Sequence, residues 1–211
     1  MTAVNEDLWR GRSSAVRAQE RRERLLAAGM ELFGTIGSAE TTLRGVCRGA
    51  GVGLRYFYES FADVNELLVA VYNRVADALT QEVIDRIAVA PPGPQARTRA
   101  AFEAAVDFLD EDSRRGRILF RETLANDVLR EHGTATVPQF VALVMTALAE
   151  ESPDVGEVAA SRRTMQISAL SGALVALFLD RQAATLTVTR QELVDYCAEL
   201  TRTVMGSDLG G

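Results

Sequence analysis

The stretch Thr41 to Phe61 reads TTLRGVCRGAGVGLRYFYESF, and its punctuation decides the fold. Thr41 or Thr42 stands where a hydroxyl can cap the first orphan N–H groups of a helix over about Leu43 to Ala50. Leu43, Val46 and Ala50 recur at three- and four-residue spacing and share one inward face. Gly51 follows, and a residue without a Cβ enters the left-handed turn freely. A second short helix is expected from about Gly53 to Ser60, with Phe57 and Phe61 four apart on its core side. That leaves Arg55, Tyr56 and Tyr58 exposed.

Upstream, Leu25, Leu32, Phe33 and Ile36 form one stripe of a helix expected over Val16 to Ile36, stopped by Gly37. Two short helices joined by a glycine turn and packed on a longer one make a helix-turn-helix, whose last helix can enter the major groove. The residues for its small core are Leu43, Val46, Val52, Phe57 and Phe61 with Leu32 and Phe33. Strand signals are nearly absent and period-3.6 patterns dominate. The expected class is therefore all-α, with about nine helices: a three-helix head over residues 1–62, with residues 1–15 as a flexible arm, and a helical body over 63–211.

Asp63 and Glu66 are spaced to cap a long helix over Val64 to Ala88. Ala90-Pro91-Pro92-Gly93-Pro94 is a breaker. The next helix, about Gln95 to Leu109, carries two apolar stripes and belongs at the centre of the body. A shorter helix is expected from Arg114 to Asn126, a further one opened by Pro138, a long one from Ser152-Pro153 to Gln182, and a last one capped by Thr189 and Glu192. His132, beside Gly133, reads as a surface loop residue.

Residues Thr41-Thr42-Leu43-Arg44-Gly45-Val46, Ala50-Gly51-Val52, Phe57-Tyr58 and Phe61 closely resemble the head of the TetR/AcrR family of transcriptional regulators. The likeness covers about residues 18–68. It implies a cytoplasmic, ligand-responsive regulator, most naturally a repressor. Such a protein binds a palindromic double-stranded DNA operator as a homodimer and leaves it when a small hydrophobic effector enters the body. The DNA-binding set is then Thr41, Thr42, Arg44, Gly53, Arg55, Tyr56 and Tyr58, with Arg17 and Arg21 reaching phosphates. Arg55 and Tyr56 would touch base edges, and Thr41, Arg44 and Tyr58 phosphates. Departures from the family pattern are Gly53 in place of a capping Ser, Val64 in place of a Lys, and Glu59 where an aromatic or His is common.

The body offers candidates for an effector pocket in Asn73, Phe102, Phe108, Phe120, Asn126, Phe140, Met145 and Gln166. For a dimer interface it offers the small residues Ala169, Gly172 and Ala176 together with Leu193, Cys197, Leu200 and Val204.

A chain with 47% hydrophobic and 25% charged residues is ordinary for a globular protein. The net charge of −6 argues by itself against nucleic acid. It conceals an asymmetry: residues 1–61 hold nine Arg against seven acids, +2, and the remainder is −8. Every base is Arg, so any phosphate contact must come from a guanidinium or a neutral donor. Cys47 and Cys197 sit on apolar helical faces and read as core residues, not as a disulfide or metal pair. The longest apolar run, Ala169 to Leu179, is too short for a membrane span, which needs about 20 residues. No cofactor or metal motif, nucleophile–base pair or phosphate loop appears, so no enzyme is expected. A carboxylate-based helical enzyme, or a helical dimer module that has lost DNA binding, stand as alternatives.

Overall fold

The computed structural model describes residues 3–148 and 157–206. Among them every regular element is a helix: α1 Ala3–Thr35, α2 Leu43–Ala50, α3 Leu54–Tyr58, α4 Val64–Ala88, α5 Pro94–Glu111, α6 Ser113–Gly116, a π-helical turn Arg117–Arg121, α7 Glu122–Ala125, α8 Asp127–Leu148, α9 Glu157–Gln182 and α10 Arg190–Gly206.

The head is built by local chemistry. Thr42 caps α2, its Oγ1 accepting from Gly45 N at 3.1 Å. Gly51 then adopts φ 61°, and the N–H groups of Gly51 and Val52 close the helix on the carbonyls of Arg48 and Cys47, a Schellman motif. Phe57 and Phe61 anchor α3 into a core with Leu25, Phe33 and Val46. The Arg22 guanidinium lies 4.2 Å from the Phe61 ring centre and donates to the Ser60 carbonyl at 2.8 Å, tying α1 to the end of α3. Asp63 caps α4 by accepting from Glu66 N at 2.8 Å.

The apolar core continues from the head through Leu67, Leu68 and Val71 of α4 into the body. There α4 packs on α5 and α8, α5 on α10, and α9 on α8 and α10. Asp107 of α5 binds Arg190 at 2.6 Å and Arg86 at 3.6 Å, joining α10 and α4. The bond from Arg190 holds its carboxyl below the usual aspartate range against the opposing effect of burial. No helix among the described residues is long and apolar enough to cross a membrane.

The structure differs from the sequence reading at several boundaries. Helix α1 begins at Ala3, so most of the expected arm is helical. Pro138 opens nothing: it lies inside α8, and the helix starts eleven residues earlier. The true start signal is Asn126, whose Oδ1 accepts from Val128 N at 3.0 Å and Leu129 N at 3.2 Å. The expected helix over Arg114 to Asn126 is interrupted by the π turn. His132 is not a loop residue. It sits half-buried in α8, with Nε2 2.5 Å from Asn73 Oδ1 and its ring edge-on to Tyr72 at 5.5 Å. The Ser152-Pro153 start lies outside the described residues.

Cys47 and Cys197 are both buried. Burial raises the Cys47 thiol and pushes that of Cys197 up to about 11. A thiol-reactive dye at pH 8 is therefore expected to label neither residue in the native protein and both after urea unfolding. Rapid labelling of the folded chain would contradict this packing.

Candidate nucleic-acid interface and effector chamber

The outer face of the head is cationic and aromatic. Arg55 on α3 is 87% exposed at its side chain, and Tyr56 and Tyr58 are exposed at 43% and 59%. Phe57, between the two tyrosines, is fully buried and fixes their outward direction. Gly53 is the exposed N-cap of α3 and supplies no side-chain acceptor. Arg44 and Arg48 are exposed on α2, and neither side chain has a hydrogen-bond or ion-pair partner among the described residues. Arg17 is exposed further up α1.

Two residues of the expected set are otherwise engaged. Thr41 is buried, and its hydroxyl donates to the Gly37 carbonyl at 2.7 Å, so its side chain serves the head's interior. Thr42 is exposed, but its oxygen is the α2 cap. Arg21 lies half-buried, its guanidinium 4.3 Å from the Tyr56 ring centre and 3.5 Å from Glu59 Oε2. Arg55 Nε is 3.5 Å from Glu59 Oε1. The Glu59 carboxylate is thus flanked by two guanidiniums.

The body holds a half-open cavity of about 320 Å³ between α4, α5, the π turn, α8 and α9. Its walls are mainly apolar. Phe102 and Phe120 line it, as does Phe178, whose ring stacks on Phe120 at 5.6 Å and 9°. Asp77 and Thr80 of α4 are the polar residues at its wall besides Tyr72. A neighbouring space of about 40 Å³ is lined by Met145 and the other side of Phe102.

The remaining pocket candidates are elsewhere. Asn73 holds His132. Phe108 lies under the Arg115 guanidinium at 4.2 Å. Asn126 caps α8, and Gln166 Nε2 donates to the Val204 carbonyl at 2.7 Å, linking α9 to α10. The side chain of Phe140 lies outside the described ones. Leu119 and Phe178 were missed, because a buried Leu or Phe on a helix looks alike in sequence whether it faces a neighbour or a void.

The expected dimer surface also divides. Leu193 and Cys197 are buried within the subunit and cannot face a partner, because α10 turns that stripe onto α5. Leu200 and Val204 are half-buried. On α9, Ala169, Gly172 and Ala176 are exposed in line with Met165, 65% exposed, and Tyr196 is exposed on α10.

No protein-family model matches the chain. It is 32% identical over 136 residues to the HTH-type transcriptional activator FasR of Mycolicibacterium smegmatis, a match covering 64% of this chain and 57% of that protein. Among solved structures it is similar to a transcriptional regulator from Pseudomonas aeruginosa PAO1, with a TM-score of 0.68, 20% identity, and 90% and 92% of the two chains covered. It is also similar to a TetR-like transcriptional regulator from Rhodococcus sp. RHA1, with a TM-score of 0.62, 18% identity, and 89% and 97% covered. The all-α architecture, from the helix-turn-helix head to the helical body, is the TetR-type regulator fold.

Proposed function

We propose that this chain is a ligand-responsive transcriptional regulator that binds operator DNA as a homodimer, with residues 1–62 as the reading head and 63–211 as the sensing and dimerising body. The observation that carries the reading is α3 itself. It is a short helix held by Phe57 and Phe61 on the Gly51 turn, presenting Arg55, Tyr56 and Tyr58 outward beside the unpaired Arg44 and Arg48. The cavity supports a small hydrophobic effector, whose size and apolar walls suit such sites. The exposed small-residue face of α9 supports a partner of the same kind, since a two-fold dimer presents one patch twice.

Incubating the protein with random DNA fragments and sequencing those retained tests the reading. A palindromic motif is expected, and no enrichment would refute it. Two variants separate base reading from phosphate holding. Arg55→Ala should relax preference at particular base pairs, since a bidentate guanine contact is worth about 1–3 kcal/mol of discrimination. Arg44→Ala should weaken all sequences alike and flatten the salt dependence by about one unit of slope. A wild-type pattern of base preference in Arg55→Ala would remove Arg55 from the reading set.

A further inference from the structure

The chamber and the head share one short segment of chain. In the π turn, Leu119 and Phe120 line the cavity, and Phe120 leans on Phe178 of the far wall. Glu122, the first residue after the turn, is 3% exposed. Its Oε2 accepts from the backbone N–H of Ser38 at 2.9 Å, and its Oε1 lies 3.4 Å from Arg117 Nε. A buried carboxylate is costly unless such partners hold it, so this contact between body and head is specific in direction and place.

The head is shaped to receive it. Gly37 has φ 92°, and a Cβ there would stand 2.6 Å from Arg117 Nη2 and 3.1 Å from Glu122 Oε1. The Gly37 carbonyl in turn accepts from the Thr41 hydroxyl, one residue before the Thr42 cap of α2. The connection runs from the cavity wall at Phe120, through Glu122, to the 37–41 loop and the start of α2. π turns are single-turn insertions that occur often at functional sites and can be reabsorbed into an α-helix by shifting one residue. An occupant that parts Phe120 from Phe178 acts on this turn directly.

We propose that Glu122 is the positioning residue through which occupancy of the chamber reaches the DNA-binding head, by way of the α1–α2 loop. The proposal rests on the reading of the cavity as the effector site. It places the moving contact at Ser38.

A tethered occupant tests it without knowledge of the natural ligand. Ala105 of α5 and Val175 of α9 line the cavity, so Ala105→Phe and Val175→Phe each place a ring in it. The affinity for the DNA motif enriched from random fragments is measured in the native chain, A105F, E122M and the double variant; Met keeps the length of Glu122 but offers no oxygen to the Ser38 N–H. A105F is expected to change affinity on the order of tenfold in the native background, within the usual range of coupling between sites. In the E122M background the change is expected to fall below about twofold. Equal changes in both backgrounds, or none in either, overturn the proposal. Hydrogen exchange of the full chain gives a second reading that needs neither DNA nor a Glu122 variant. A105F or V175F should speed exchange at the Ser38 amide and leave the first turns of α4 unchanged. Unaltered exchange at Ser38 also overturns the proposal. If no DNA is retained at all, the regulator reading fails, while the exchange measurement still decides whether the chamber and the loop are linked.

Discussion

Gly172→Arg is expected to turn the proposed homodimer into monomers and to lower affinity for the proposed operator on the order of a hundredfold or more, because two linked half-site contacts exceed one by about that factor or greater. Within the subunit the change is benign. A Cβ at Gly172 meets nothing within 4 Å, and glycine is itself unfavourable in a helix interior by about 1 kcal/mol. The new guanidinium would stand on the face shared with Ala169, Ala176 and Met165, where a two-fold partner would place a second copy of the same charge. Light scattering after size-exclusion chromatography reads the mass. A dimer of unchanged mass would put the interface on another face. Leu193 and Cys197 are unsuited to this test, since their substitution would damage the subunit core first.

Phe57→Ala is expected to destabilise the protein by about 3–5 kcal/mol, the usual result of emptying a buried phenylalanine site. That is a large share of the roughly 5–15 kcal/mol that holds a domain folded. The Phe57 ring is fully buried, 5.7 Å from Tyr58 in an edge-on arrangement and 5.9 Å from Phe61. Its loss frees α3 from the turn, so DNA binding should fail together with stability. Tyr58→Ala is the contrast: the ring is 59% exposed, and its removal should weaken DNA binding with a change in stability within about 0.5 kcal/mol. Urea titration followed by circular dichroism separates them. A wild-type midpoint for Phe57→Ala would contradict its place in the core.

The head was legible in sequence because its determinants are local. The Thr42 cap, the Gly51 turn and the four-residue step from Phe57 to Phe61 each act within one turn of chain. The body was legible only as helices. Phe102 and Phe108 both lie on apolar stripes of α5, yet one faces the cavity and the other lies under Arg115. That choice is made by what packs opposite, which spacing along one helix cannot report. Asn126 looked like a polar pocket group and proves to be a cap, and Pro138 looked like a start and proves to be interior. The role of Glu122 is not legible in the sequence, because its partner, the Ser38 amide, is 84 residues away and has no side-chain signature.

The position of Glu59 bears on how the protein would travel along DNA. Arg21 and Arg55 each lie 3.5 Å from one of its oxygens, so in the free protein two guanidiniums share one carboxylate and one of their two charges is offset. Affinity for arbitrary DNA grows with the number of phosphates neutralised. Two guanidiniums that share a carboxylate add less to it than two free ones. Exposed ion pairs are worth at most about 1 kcal/mol, which a bidentate contact to the right guanine replaces in full. In a DNA-binding protein of the kind proposed, this shared carboxylate would shorten residence on wrong sites and favour hopping over long slides, and it would release Arg55 where a cognate base gave it a better partner.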